Sequence, residues 1–181
     1  MSCMSEKKGM VEKAKGEMRL SERILAALPG FRGYKEKEIR RESDKLIRNH
    51  LYQRLMEARK DIKETFQTLS DNRLQEILTD MDRLVMRFDR VSEKINHASY
   101  GYAGFFNIVK IEEEKLDKMI QFDTDLMDEV ENIVTEAAAF HKEAVGQKFD
   151  NSRDHIHNLN DMLAALEETF EERHEVVEGV K

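Results

Sequence analysis

Three residues near the C-terminal end carry the chemistry most worth testing. His141, Asp154 and His157 would come together if the last two helices folded back on each other. A hairpin turning at about residue 148 places position n opposite roughly 297 − n, because short connections force antiparallel neighbours. His141 then faces Asp154, His155 and His157. Two imidazoles and a carboxylate, the latter pair at an i, i+3 helical spacing, are a donor set that zinc or another divalent cation accepts. The same residues also read as a solvated hairpin end with histidines paired to carboxylates, or as a pH-sensitive contact, since imidazole titrates near neutrality. The same register brings Asp123 against Arg173 and His174. Other chemistries have weaker support. The Glu171/His174 pair is the only Glu-x-x-His on these helices, whereas a di-iron bundle needs one on each of two helices. No Ser/His/Asp arrangement and no glycine-rich phosphate loop is present. The reading is a non-enzyme with no expected cofactor.

These residues need long helices to hold them, and the composition is that of long helices. Of 181 residues 37% are charged and only 7% aromatic, with one proline and no tryptophan. Proline breaks helices internally, so the chain beyond Pro29 is free of its main breaker. The expectation is an all-α fold: an elongated antiparallel bundle of coiled-coil hairpins, with four long helices and a short N-terminal one. Leu74, Ile77, Met81, Leu84, Phe88, Val91 and Ile95 alternate steps of three and four, a heptad seam. Similar spacing runs through Ile39, Ile47, Leu51, Leu55, Ala58, Ile62, Phe66 and Leu69, through Val109, Leu116, Met119, Leu126, Val130, Ile133, Ala137, Phe140 and Ala144, where Glu112 and Asp123 interrupt the seam, and through Ile156, Leu159, Leu163, Leu166, Phe170 and Val177. Apolar side chains at that spacing share one helical face. The expected helices cover about 35–69, 71–98, 105–145 and 151–177. Ser70 is a candidate N-cap for the second, with Leu69 stapled to Leu74, although a bent continuous helix fits too. Gly146 is expected at the C′ position of the third helix, and Asp150 or Asn151 caps the fourth. The chain shows no internal repeat and no low-complexity linker. Leu78, Val85, Ile120, Met127 and Met162 widen the apolar stripe beyond a two-helix need. They predict a four-helix layer, within one chain or between two.

Residues 1–33 form a separate N-terminal segment ahead of the bundle at 34–181. Met10, Val11, Met18, Leu20, Ile24, Leu25 and Leu28 give it an apolar side, and Lys13, Lys15, Arg19 and Arg23 a basic one. Such a helix either lies in the headgroup layer of an anionic membrane or packs back on the bundle and completes its core. Pro29, Gly30 and Gly33 stop it, and Gly101 and Gly104 form a second structural corner between the second and third helices. The first 60 residues hold 16 Lys/Arg against 9 Asp/Glu, and the remaining 121 hold 14 against 28. A basic head and an acidic body suit head-to-tail self-association or a basic end that seeks an anionic surface. Arg40 and Arg41 lie in the densest basic stretch. Acidic residues interleave there at helical pairing distances, which argues against nucleic acid. Cys3 is the only cysteine, so the chain forms no internal disulfide and suits a reducing compartment. With no secretory signal and no apolar run of membrane-spanning length, a cytoplasmic location is expected, peripheral to a membrane at most.

The stretch Leu28 to Leu51, LPGFRGYKEKEIRRESDKLIRNHL, resembles the opening of small uncharacterised prokaryotic helical proteins. These share an LPG-aromatic-x-GY turn followed by KE, RR and DK pairs. The resemblance covers about 24 of the 181 residues and implies a structured corner at Pro29, Gly30, Gly33 and Tyr34, with Arg40, Arg41 and Asp44 beside it. It implies no activity or cofactor. In overall style the chain is also similar to coiled-coil hairpin scaffolds of the phage-shock type, by analogy of architecture alone. The expected function is a non-enzymatic helical interaction or scaffold protein that self-associates or binds another helical protein. The alternatives are a membrane-surface adaptor and a metal-binding bundle.

Overall fold

The computed structural model describes Glu22, Ile24 and Leu28, and then residues 37–98 and 113–178. Its four long helices are α1 (Lys37–Asp71), α2 (Gln75–His97), α3 (Glu113–Val145) and α4 (Ser152–Glu178). The described residues contain no strand, and the fold is all-α. No helix among them is long and apolar enough to cross a membrane. The corner residues Pro29, Gly30, Gly33, Gly101 and Gly104 lie outside the described residues, as do the side chains of Lys13, Lys15, Arg19, Arg23, Arg40 and Arg41.

α1 and α2 are two helices, not one bent helix, and the reason is in the backbone. Arg73 N donates to Ser70 O and Leu74 N to Leu69 O, while Arg73 takes φ 60°. This is a Schellman ending, in which a left-handed residue turns the chain back on the last carbonyls. The turn between α3 and α4 uses the same device. Gln147 N donates to Ala144 O, Lys148 N to Glu143 O, and Gln147 has φ 57°. Two expectations are corrected here. Ser70 lies inside the last turn of α1 and does not cap α2, whose N-cap position is Leu74, with no side-chain cap bond. The left-handed residue after α3 is Gln147, one position beyond Gly146. At the start of α4, Asn151 O takes a backbone bond from His155 N. Side chains rarely adopt positive φ without cost. Arg73→Gly and Gln147→Gly should therefore each raise stability by about 1 kcal/mol, read as a higher urea midpoint at unchanged slope.

The chain divides into two compact units. The larger comprises residues 48–99 and 126–172. Its core is the predicted seams: Leu51, Leu55, Ala58, Ile62 and Leu69 in α1, Met81, Leu84, Phe88, Val91 and Ile95 in α2, and their counterparts in α3 and α4 are all at most 5% exposed. The ion pairs between helices set the neighbours. Arg54 of α1 grips Glu131 of α3 through two bonds of 2.6 Å, 77 residues away. Arg90 reaches Glu167 at 3.0 Å, Lys94 reaches Glu171, and Arg153 reaches Glu76, all from α2 to α4 at the same separation of 77. A constant separation in sequence is the signature of parallel neighbours, so α1 lies beside α3 and α2 beside α4, both pairs parallel. Arg59 of α1 grips Asp89 of the antiparallel α2, its Nη2 at 3.0 Å. Around this unit the order is α1, α2, α4, α3. The seams are thus covered by two hairpins of one chain. Leu78, Val85, Met127 and Met162 are all partly buried here, which satisfies the four-helix layer without a second copy.

Burial also repeats where identity does not. Leu51, Leu55, Ala58 and Ile62 recur 75 positions on as the buried Leu126, Val130, Ile133 and Ala137. Met81, Leu84, Phe88, Val91 and Ile95 recur at the same step as Ile156, Leu159, Leu163, Leu166 and Phe170. The two hairpins share this spacing of buried positions but fill it with different side chains.

The smaller unit takes residues 1–47, 100–125 and 173–181. Its described core holds Ile24, Leu28, Ile47 and Met119 together with Ser43, Asp44, Asp123, Thr124 and Arg173.

Candidate functional site

The metal reading placed His141, Asp154 and His157 in one corner, and the structure does not bring them together. His141 turns toward α1, with Nδ1 3.4 Å from Thr65 Oγ1 and Nε2 3.5 Å from Glu64. Thr65 already donates to Asp61 O at 2.8 Å, so its hydroxyl oxygen is the acceptor for the ring. His157 sits on the solvent face and pairs with Asp161 at 3.3 Å. Asp154 is exposed in the first turn of α4. Among the described residues no group of three His, Cys, Asp or Glu is placed to hold a metal. The correction has a simple cause. The register about the turn is right to within a turn of helix, but on that register His157 rotates outward while His155 rotates in.

His155 is the member of this corner that makes the helix contact. Its ring stacks on Phe140 with centroids 4.9 Å apart and planes 12° from parallel. Nδ1 lies 2.9 Å from Glu136 and Nε2 3.2 Å from Glu143. Asn151 also donates to Glu143, at 3.4 Å. The bond from His155, then that from Asn151, hold the Glu143 carboxyl below the usual carboxylate range. Across the unit, the bond from Arg54 does the same for Glu131. Burial pushes His50 below the ordinary histidine value of 6.5. The signs agree. A depressed carboxyl contributes stability that is present above its unfolded value, 4.5 here, and is lost as pH falls through the folded value. A depressed histidine favours the neutral ring, so acidification below 6.5 protonates the unfolded chain first and also destabilises. The melting temperature should therefore fall in two stages on acidification. His50→Gln should remove the first stage and Glu131→Gln part of the second, as followed by circular dichroism from neutral pH downward.

The arrangement with most at stake is buried in the smaller unit. Arg173 of α4 is 1% exposed, and it donates from Nε to Asp123 of α3 at 2.6 Å and from Nη1 to Asp44 of α1 at 2.9 Å. Asp123 is fully buried and Asp44 nearly so. The register predicted the Asp123–Arg173 meeting. It missed Asp44, although the signal was present: Asp44 stands three residues before Ile47 and seven before Leu51, in line with the seam. One guanidinium thus ties three helices together through a planar fork of donors matched to carboxylates. A buried charge of this kind must be paired and hydrogen-bonded to be tolerated. The group can orient helices and hold a register. Nothing in its geometry marks a nucleophile or a proton-transfer pair.

No protein-family model, no curated protein and no solved structure matches this chain.

Proposed function

We propose that this protein is a non-enzymatic helical scaffold that presents helical faces to a partner, another copy of itself or another helical protein. The observation that carries the reading is where the basic side chains go. Arg54, Arg59, Arg87, Arg90, Lys94, Arg153, His141, His155 and Arg173 all reach carboxylates on a different helix. Charges arranged this way set neighbour and register more than they add stability, since exposed pairs contribute only ~0.2–1 kcal/mol each. A frame locked at fixed register is what a docking surface requires. The sequence supports self-association through its basic first third and acidic remainder. The exposed Met86 and Val145, at 63% and 61%, are apolar points on that frame.

Sedimentation of the full chain over a wide concentration range tests the reading. Self-association that weakens with added salt supports the head-to-tail form, because screening acts on exposed charges. A monomer at every concentration and at low salt removes the self-associating form and leaves only a heterologous partner.

A further inference from the structure

The seams of the larger unit are covered by its own four helices, but one of its faces keeps large apolar side chains at the rim. Tyr52, Arg59 and Phe66 stand seven apart on α1, and Met56 and Lys63 lie on the same side. Arg59 fixes that side toward α2, where it grips Asp89. Leu78, Asp82 and Val85 share the matching side of α2 with Asp89. Tyr52, Met56, Phe66, Leu78 and Val85 are all half-buried, so five large apolar side chains line the α1–α2 groove. The other faces are built differently. Between α2 and α4 the rim carries Arg87, Arg90 and Lys94 against Glu167 and Glu171. Between α3 and α4 it carries Glu136 and Glu143 against His155. Between α1 and α3, Met127 and Val134 share it with the pairs Arg54–Glu131 and His141–Glu64. Lys63 and Asp82 flank the apolar groove. Both are exposed, and neither has an ion-pair or hydrogen-bond partner among the described residues.

We propose that the α1–α2 face is the site of self-association, where a second copy packs its own α1–α2 face about a two-fold axis parallel to the helices. A like face brings the same five apolar side chains, and aromatic and methionine side chains are enriched at the centres of interfaces. Charge selects the axis. An axis across the helices sets α1 on α1 and keeps Lys63 away from Asp82. An axis along them sets α1 of one copy on α2 of the other at equal height. Lys63 stands four residues after Arg59, and Asp82 seven before Asp89. In antiparallel helices their heights therefore differ by about 4.5 Å, at 1.5 Å per residue, which a lysine side chain spans. Lys63 then meets Asp82 of the other copy, and the symmetry makes the pair twice. Phe66, at a height between those of Leu78 and Val85, meets both across the axis. Like faces close at two copies, whereas a basic head on an acidic body continues into longer assemblies. The inference rests on the self-associating form of the scaffold reading and assigns the face that it uses.

Sedimentation velocity of the full chain and of three charge variants tests it. The wild type should form dimers and nothing larger. Lys63→Glu and Asp82→Lys each set like charges together twice, and each should raise the dimer dissociation constant by about tenfold or more. Mixing these two variants should restore the dimer, because every pair between the two different chains is then of opposite sign. Lys142→Glu, on α3, changes the net charge by the same amount as Lys63→Glu and should leave the dissociation constant at the wild-type value. All three positions are exposed, so the variants should fold as the wild type does, checked by circular dichroism. Monomers at every concentration overturn self-association and this face together. A wild-type dimer unmoved by Lys63→Glu and Asp82→Lys overturns the face alone. Equal weakening by Lys142→Glu, a mixture no tighter than its components, or growth past the dimer does the same.

Discussion

Replacing Arg173 by methionine is expected to cost about 3–5 kcal/mol of folding stability. The methionine fills much of the same volume, so packing is not the main loss. The loss is that Asp44 and Asp123, at 2% and 0% exposed, keep their burial but lose the guanidinium that joined them. The triple replacement Asp44→Leu, Asp123→Leu and Arg173→Met should recover most of this and finish near or above the wild type, because a well-packed apolar group avoids the desolvation of three ions. Urea denaturation of the three proteins, wild type, single and triple variant, distinguishes the two effects. A single variant as stable as the wild type would mean that the guanidinium contributes nothing net to holding α1, α3 and α4. A triple variant as weak as the single one would mean that the site needs its polar contacts for shape as well as charge.

Phe88→Ala should cost about 3–5 kcal/mol for a different reason. Phe88 is fully buried on the α2 seam of the larger unit. Its removal forfeits the transfer free energy of the ring and leaves a cavity that helices locked by cross-helix ion pairs cannot easily close. Met86, two residues earlier, points to solvent with 63% of its surface exposed. Met86→Ala should therefore stay within about 0.5 kcal/mol of the wild type. The pair checks the orientation of α2 as well as the energetics. Similar losses at both positions would mean that α2 is rotated from the observed seam, or that Met86 is covered in the folded assembly.

Much of this fold was readable from spacing alone. A buried stripe of three-and-four steps is a local property, and the described seam positions are buried in the structure except Phe66 and Leu74, which are half-buried. The antiparallel hairpin of α3 and α4 was readable too, because a turn of a few residues leaves a following helix no other direction, whereas the break between α1 and α2 was not. The same register put Asp123 beside Arg173. The failures cluster where a rotation of one or two positions matters. At the α3–α4 turn a helix advances 100° per residue, so a register good to one turn still leaves open whether His155 or His157 faces inward. The proposed metal corner failed on that angle. The endings failed for a related reason: Arg73 and Gln147 hold left-handed conformations that their residue types do not advertise, in each case beside a better-suited Asn72 or Gly146.

The sequence by itself determined that the protein is helical, where each helix carries its apolar face, and that the last two helices pair through a short turn. These are all set by contacts within a few residues of each other or by chain connectivity. Only the tertiary structure decided that the two hairpins lie with α1 beside α3 and α2 beside α4. It also decided that a charged residue in the basic stretch, Asp44, is buried on Arg173 129 residues away. Neighbours that no short turn joins are chosen by side-chain complementarity over long separations, and every alternative order of four amphipathic helices buries the same stripes. The ion pairs break that degeneracy, and their partners become recognisable only once the helices are side by side.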